Sequence, residues 1–136
     1  MHRFVFLFFA LLAFDSSPVL AADIHVFSDR THPIHSIPAG VQVVELDAAQ
    51  QMDDQLTRGL PAHAEQAALL VRRRLEQGGT ALQQRFASAY QGVTEAWGLG
   101  ITKVPAVVVD HRYVIYGEPD VQRALSKIAR FRKELP

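Results

Sequence analysis

Alternating and continuous apolar runs along the chain predict four short β-strands. Residues 23–28 alternate and then become apolar, and residues 41–46 are apolar at four of six positions. Residues 106–109 are wholly apolar, and residues 112–116 are rich in β-branched and aromatic side chains. Such runs, bounded by turn residues, are typical of strands. Because only Asp110 and His111 separate the last two runs, they predict a β-hairpin.

Helical spacing of apolar residues predicts three helices. Pro61 suits the first turn of a helix, and the helix that begins there is predicted to end at Gly78-Gly79. Thr80 begins a second helix, and Gln83 completes a capping-box pattern. We expect this second helix to bury one apolar face, which comprises Leu82, Phe86, Ala89, Tyr90, Val93 and Trp97.

The last helix is predicted to open at Pro119 and Asp120 and to bury Val121, Ala124, Leu125 and Ile128. Residues 47–60 are polar and mixed, and we expect a loop with some helix there. Residues 29–40 contain two prolines and a glycine, which leaves little room for a full crossover helix. The sequence therefore predicts an α/β fold with a mixed sheet of about four strands, about three helices and an abbreviated first half.

The amino-terminal segment has the pattern of a secretory signal peptide. Arg3 supplies a positive charge, and residues 4–14 form an apolar run that is short for a membrane span. We expect cleavage after Ala22, so that Asp23 becomes the first residue; an uncleaved anchor is the alternative. The sequence thus predicts a signal peptide at 1–22, a single domain at 23–136, a periplasmic location and no membrane span after cleavage.

Composition excludes two classes of function. Lys and Arg together number 14, as do Asp and Glu, so the formal net charge is zero. A general nucleic-acid binder carries a strong basic excess, so we expect no direct nucleic-acid contact. The chain contains no cysteine, which rules out thiol–disulfide chemistry within it.

Residues 97–117 resemble a segment of known proteins. The motif that carries this resemblance is Tyr90-Gln91-Gly92-Val93-Thr94, Trp97, residues 100–110 and residues 113–121, with residues 26–29, His32-Pro33 and residues 44–50 upstream. It is similar to the cis-proline hairpin of thioredoxin-like proteins. More closely, it resembles a family of small exported proteins encoded on integrating conjugative elements. A similar Val-Pro segment occurs in the pilin-assembly protein of F-type conjugation systems.

This resemblance implies a thioredoxin-like domain and a non-catalytic role in conjugative DNA transfer. The expected partners are protein components of the type IV secretion apparatus, bound during its assembly, and no cofactor is expected. In thioredoxin-like proteins the peptide before the conserved proline is cis and offers its backbone to extended peptides. By that likeness Val104-Pro105 is expected to be cis. Residues 101–104 are expected to face His32-Pro33, giving a partner-binding surface of Thr102, Lys103, Val104, Pro105 and His32.

His32 and His35 occupy the places where redoxin-like proteins carry their two cysteines. An imidazole can bind a proton or a metal, but it cannot exchange a disulfide. The alternative function is therefore a periplasmic metal-binding protein that uses His32 and His35. The sequence does not select a third ligand among His25, His63 and His111. The simpler interpretation is that these histidines lie at the surface or cap a helix, and we predict no bound metal.

Two charged clusters favour a structural interpretation over a functional one. Arg72, Arg73 and Arg74 fall near a predicted helix end, where positive charge suits the helix dipole. The acids Glu45, Asp47, Asp53 and Asp54 match no ion-binding loop. Because the chain also has no phosphate loop, nucleophile elbow or metalloprotease motif, we expect no enzymatic activity.

Overall fold

The computed structural model describes residues 22–136, so the predicted signal peptide lies outside the described residues apart from Ala22. Seven elements follow one another along this part of the chain. They are β1 (Ile24–Ser28), β2 (Gln42–Glu45), α1 (Ala48–Thr57), α2 (Ala64–Gly98), β3 (Ala106–Val109), β4 (Tyr113–Tyr116) and α3 (Val121–Glu134). None of the helices in residues 22–136 combines the length and the apolar character needed to cross a membrane.

The four strands form one mixed sheet in the order β2-β1-β3-β4. Strand β1 pairs parallel with β2 and antiparallel with β3, and β3 pairs antiparallel with β4. The prediction of an α/β protein with a mixed four-stranded sheet and three helices is confirmed. This strand order is compatible with the thioredoxin-like fold that the resemblance implies. The connection over residues 29–40 contains no helix, so the first half is abbreviated as expected.

Alternation along the strands divides the core between the two faces of the sheet. On the face that α2 covers, called the α2 face, the buried cluster is Phe27, Val44, Ala96, Ala106 and Val108. On the opposite face, called the α3 face, it is Val26, Val107, Val121 and Ala124. Both central strands, β1 and β3, therefore contribute to both clusters.

Helix α2 is long but interrupted. Gly79 has φ 54° and ψ −148°, which are not helical values, so the segment consists of two helices joined at this residue. The prediction that a helix ends at Gly78-Gly79 and another follows is consistent with this interruption. Residues 47–60, for which we expected a loop with some helix, contain the ten-residue helix α1 (Ala48–Thr57).

Helix α2 meets the sheet through its smallest side chains. The residues that it buries are Ala89, Gly92 and Ala96, which recur at intervals of three and four. A Cβ atom placed on Gly92 would lie 2.5 Å from Cγ1 of Val44, so only a glycine fits here without movement. The helix backbone therefore approaches β2 closely.

This packing overturns the prediction that Trp97 is a core residue. The Trp97 residue is 84% exposed and Tyr90 is 62% exposed, while Phe86 is only half-buried. The prediction grouped Ala89 with these large residues as one buried face. The sheet instead accepts the small residues at 89, 92 and 96, and the aromatic residues consequently lie on the outer side of the helix.

Helix α3 follows the prediction closely. Asp120 is its N-cap, and the carboxylate accepts a hydrogen bond from the backbone N–H of Arg123 at 2.9 Å. Val121, Ala124 and Ile128 are buried against the sheet, and Leu125 packs at the edge of the same cluster. The apolar period therefore identified the buried face of this helix correctly.

Candidate partner-binding site

The end of α2 leads into the cis-proline loop, defined here as residues 101–105. The N–H of Gly100 donates to the carbonyl of Trp97 at 3.0 Å, and the N–H of Ile101 donates to that of Ala96 at 2.9 Å. These two bonds form a Schellman motif, in which Gly100 takes the left-handed conformation with φ 69°. Ile101 then packs against the cluster that contains Ala96. The loop thus leaves the helix in a fixed direction.

Most of the predicted surface residues lie in this loop, with different exposures. Thr102 and Lys103 are exposed, and Val104 is half-buried against the α2-face cluster. Pro105 is buried, and its carbonyl accepts a hydrogen bond from the N–H of Gly117 at 2.9 Å. The Val104-Pro105 peptide is cis, as predicted. Only Thr102 and Lys103 therefore present much side-chain area to a partner.

His32, the fifth predicted residue, belongs to a turn organised by Asp29. Oδ1 of Asp29 accepts hydrogen bonds from the backbone N–H groups of Thr31 at 2.9 Å and His32 at 2.8 Å. The Thr31 hydroxyl donates to the same oxygen at 2.8 Å, and Nδ1 of His32 lies 2.7 Å away. The side-chain hydrogen bond from Thr31, followed by that from His32, lowers the pKa of Asp29 below its ordinary value. His32 is exposed, and these polar contacts fix it within its own turn.

His35 has a different carboxylate partner. Its Nε2 lies 3.8 Å from Oδ2 of Asp120, and its backbone exchanges hydrogen bonds with Pro119 and Val121. His32 and His35 are thus held by separate acids at separate places. Within residues 22–136 the group of potential metal ligands whose atoms lie mutually within 4.8 Å is Asp23, His25 and His111. Sequence reasoning named the two histidines of that group only as candidate third ligands and did not single out Asp23.

An apolar stripe, exposed to solvent except at the half-buried Phe86, runs along the outer side of α2 and ends beside the cis-proline loop. We call it the α2 stripe; its members are Phe86, Tyr90, Val93 and Trp97. Their spacing of four, three and four residues places them on one helix face. The rings of Phe86 and Tyr90 are stacked with their centroids 6.4 Å apart. Sequence reasoning found these residues but assigned them to the core.

A groove in the described part of the chain lies elsewhere, between β2, α1 and α2. It has a volume of about 690 Å³. Its lining is mixed, with Met52 and Ala89 beside several glutamines, and it includes none of the five predicted surface residues. We therefore base the candidate site on the cis-proline loop and the α2 stripe.

The arginine cluster has one member with a structural role. Nη1 of Arg74 donates to the carbonyl of Leu56 at 2.6 Å and to that of Arg58 at 2.9 Å. A guanidinium at this place satisfies carbonyl groups at the end of α1, which would otherwise lack partners. Arg72 and Arg73 are exposed. This arrangement agrees with the structural interpretation.

The fold and this site define a small α/β protein with a mixed four-stranded sheet and a cis-proline loop. The chain belongs to the family described as Protein of unknown function (DUF1525), whose sequence model matches residues 21–134. Comparisons with curated proteins and with solved structures gave no significant match.

Proposed function

We propose that this protein is a non-catalytic periplasmic component of the conjugative DNA-transfer apparatus of an integrating conjugative element. It binds protein components of the type IV secretion machinery during assembly, through the cis-proline loop and the adjoining α2 stripe. The conjugative role comes from the sequence resemblance, and the exposed surface supports the binding role. A signal peptide at residues 1–22 provides export.

The exposure of Trp97 carries the binding part of this proposal. A tryptophan that is 84% exposed at the end of a stripe of apolar side chains leaves a large nonpolar area in water. Isolated exposed apolar residues are common, but contiguous ones rimmed by polar residues mark interaction sites. Tryptophan and tyrosine are also the residues most enriched among those that dominate binding energy at interfaces. The α2 stripe contains both.

The neighbouring loop adds polar groups to this apolar surface. Only Gly98, Leu99 and Gly100 separate Trp97 from the start of the loop, and Lys103 is exposed within it. A charged rim beside an aromatic anchor is the usual arrangement of a transient protein interface. Lys103 would select an acidic or polar region of the partner and orient it over the stripe.

Conjugation frequency tests the proposal in donor cells. A clean deletion is complemented with the wild-type gene, with Trp97→Ser or with Lys103→Glu. Lys133→Glu is the matched control, since Lys133 is also exposed but lies on α3, which covers the opposite face of the sheet. We expect both site variants to accumulate normally and to transfer at least tenfold less, while the control transfers normally.

Normal transfer by the deletion strain would overturn the conjugative role. Normal transfer by both folded site variants would overturn the assignment of the surface. Export is checked separately on protein recovered from the periplasm, whose intact mass should correspond to a chain that starts at Asp23 or Ala22. Full-length protein in the membrane fraction would contradict cleavage.

A further inference from the structure

Three potential metal ligands meet at the end of the sheet where β1 begins and the β3–β4 hairpin turns. Strand pairing sets this meeting, because Ile24 is opposite Val109 and residue 23 therefore lies beside the turn. The N–H of Asp110 donates to the carbonyl of Asp23 at 2.8 Å, and the N–H of Asp23 donates to Oδ1 of Asp110 at 3.1 Å. The backbone thus holds Asp23 next to His111.

The side chains of this cluster are arranged around one carboxylate. Nε2 of His25 lies 2.7 Å from Oδ1 of Asp23, and Nε2 of His111 lies 3.2 Å from Oδ2 of Asp23. The two imidazole centroids are 5.2 Å apart. Zinc bound tetrahedrally to nitrogen and oxygen at 2.0–2.1 Å holds its ligand atoms about 3.3 Å apart. Movements well under 1.5 Å would bring the three ligand atoms, now within 4.8 Å of one another, to that spacing.

His25 has an unusual environment for a histidine that serves only packing. Its side chain is 8% exposed, and Oε1 of Glu95 lies 2.6 Å from its Nδ1. Glu95 is thus an ion-pair partner of Nδ1, although the contact does not meet the geometry of a hydrogen bond. A histidine that binds metal through Nε2 is commonly oriented by a carboxylate at Nδ1.

The hairpin turn also favours a specific role for His111. Asp110 and His111 have φ values of 52° and 51°, a conformation in which asparagine and glycine are the usual residues. Nη1 of Arg132 on α3 donates to Oδ2 of Asp110 at 3.2 Å and so supports the turn from the other side. The turn thereby directs the His111 imidazole towards Asp23 and His25.

We propose that Asp23, His25 and His111 bind a divalent transition-metal ion of the zinc class, with Glu95 orienting His25 from the opposite side of its ring. The ligand set is two imidazoles and one carboxylate, which suits zinc and leaves a fourth position for water or a partner's side chain. This site differs from the His32 and His35 pair that the sequence suggested, and it does not depend on the partner-binding function.

Calorimetry and absorption spectroscopy test the site on untagged protein, expressed from the full-length sequence and purified as the cell processes it. Zinc is titrated by calorimetry, and cobalt(II) serves as the spectroscopic probe of four-coordination. Copper(II) and nickel(II) are avoided because they also bind a free amino terminus placed two residues before a histidine, as cleavage after Ala22 would create. We expect one equivalent of zinc to bind and cobalt to give the strong visible bands of a four-coordinate site.

The decisive variant is His111→Asn. Its side chain is 54% exposed, and asparagine tolerates the left-handed backbone of the turn, so the fold should survive. We expect zinc affinity to fall at least tenfold and the cobalt bands to disappear. Asp23→Asn, a second exposed position, should weaken zinc similarly, and Glu95→Gln should weaken it by about 10- to 100-fold.

The double variant His32→Asn/His35→Asn is the matched control and should bind zinc with wild-type affinity. Absence of zinc binding to the wild-type protein would overturn the proposal. So would wild-type affinity in folded His111→Asn and Asp23→Asn proteins, or loss of binding only in the double variant, which would place the metal at the other histidines.

Discussion

The two faces of the sheet are covered by helices that pack in opposite ways. Helix α3 places Val121, Ala124 and Ile128 against its face and leaves its basic side chains in solvent. Helix α2 places Ala89, Gly92 and Ala96 against its face and holds its aromatic residues outside. The α3 face is a conventional amphipathic contact, whereas the α2 face is a close backbone approach.

This difference shows that apolar residues on a helix need not be its buried ones. On the same face as α2, Val114 and Tyr116 of β4 are 37% and 42% exposed, so the helix leaves the outer strand partly uncovered. The α2 stripe and these two residues give one side of the molecule an excess of exposed apolar area. On helix α3, Phe131 is also 55% exposed, but the larger set of exposed apolar residues lies on the α2 side, which suits the binding of another protein.

Phe27 tests whether the α2 face is nevertheless a true core. It is 0% exposed and lies at the centre of the α2-face cluster. Phe27→Ala should lower the free energy of unfolding by about 3–5 kcal/mol, because the substitution removes buried area and leaves a cavity. Urea unfolding followed by circular dichroism measures the loss. A loss below about 1 kcal/mol would mean that the face is loosely packed.

Gly92 tests the close approach of α2. Alanine favours a helix by about 1 kcal/mol over glycine, but overpacking against Val44 costs about 1–3 kcal/mol. We therefore expect Gly92→Ala to destabilise the protein by about 1 kcal/mol in urea unfolding. Gly98→Ala is the matched control, since a Cβ there has no neighbour within 4 Å, and it should be neutral or slightly stabilising.

Removing methyl groups from the opposing residue sharpens this test. In the double variant Gly92→Ala/Val44→Ala, the new Cβ no longer meets Cγ1 of Val44. The two substitutions should therefore cost less together than the sum of their separate costs. Strict additivity would contradict the steric explanation.

The same contrast explains how far the sequence could predict the fold. Strands with strong local patterns, such as residues 106–109, and the capped helix α3 were predictable. In these elements the apolar residues that set the sequence pattern are also the residues that the fold buries. The buried side of α2 was not, because Ala89, Gly92 and Ala96 carry little hydrophobic signal beside Tyr90 and Trp97. The choice between the two sides depends on how near the backbone comes to Val44, and this distance is a property of the assembled sheet.

The candidate sites differ in the same way. The sequence was enough to place Thr102 and Lys103 on an exposed loop, because Gly100 and Pro105 on either side of them interrupt regular secondary structure. The cluster of Asp23, His25 and His111 could not be predicted, since it depends on the register of β1 against β3. Residues 88 positions apart in the sequence meet only when that register is known.

An acid-dependent loss of stability is expected at the Glu118 carboxylate, which pairs with helix α3. Lys127 donates a hydrogen bond to Oε2 of Glu118 at 2.8 Å, and this bond is the main cause that lowers the pKa of the buried Glu118 carboxyl. A lowered pKa in the folded state stabilises the protein above the ordinary glutamate pKa of about 4.3. The contribution is lost as the pH falls through the lowered value.

Lys127→Met isolates this contribution. The variant should be less stable than wild type at neutral pH, and the difference in unfolding free energy should shrink as the pH falls below about 4. Arg132→Met is the comparison, because Arg132 pairs with Asp110 on the hairpin turn and not with Glu118. A difference for Lys127→Met that is constant with pH would show that the lysine acts through packing alone.

Trp97 gives the smallest expected effect on stability and the sharpest contrast with Phe27. Because it is 84% exposed, Trp97→Ala should change the free energy of unfolding by no more than about 0.5 kcal/mol. Trp97 is the only tryptophan in the chain, so fluorescence of the wild-type protein reports on this side chain alone. Its emission should resemble that of tryptophan in water and should be quenched efficiently by iodide. Addition of a binding partner should shift the emission to the blue and protect it from the quencher, because the ring would then leave water. Two results together would contradict this interpretation: a blue-shifted emission in the isolated protein, and a loss of stability above about 1 kcal/mol on substitution. They would show that Trp97 is a core residue and that the α2 stripe is not an exposed surface.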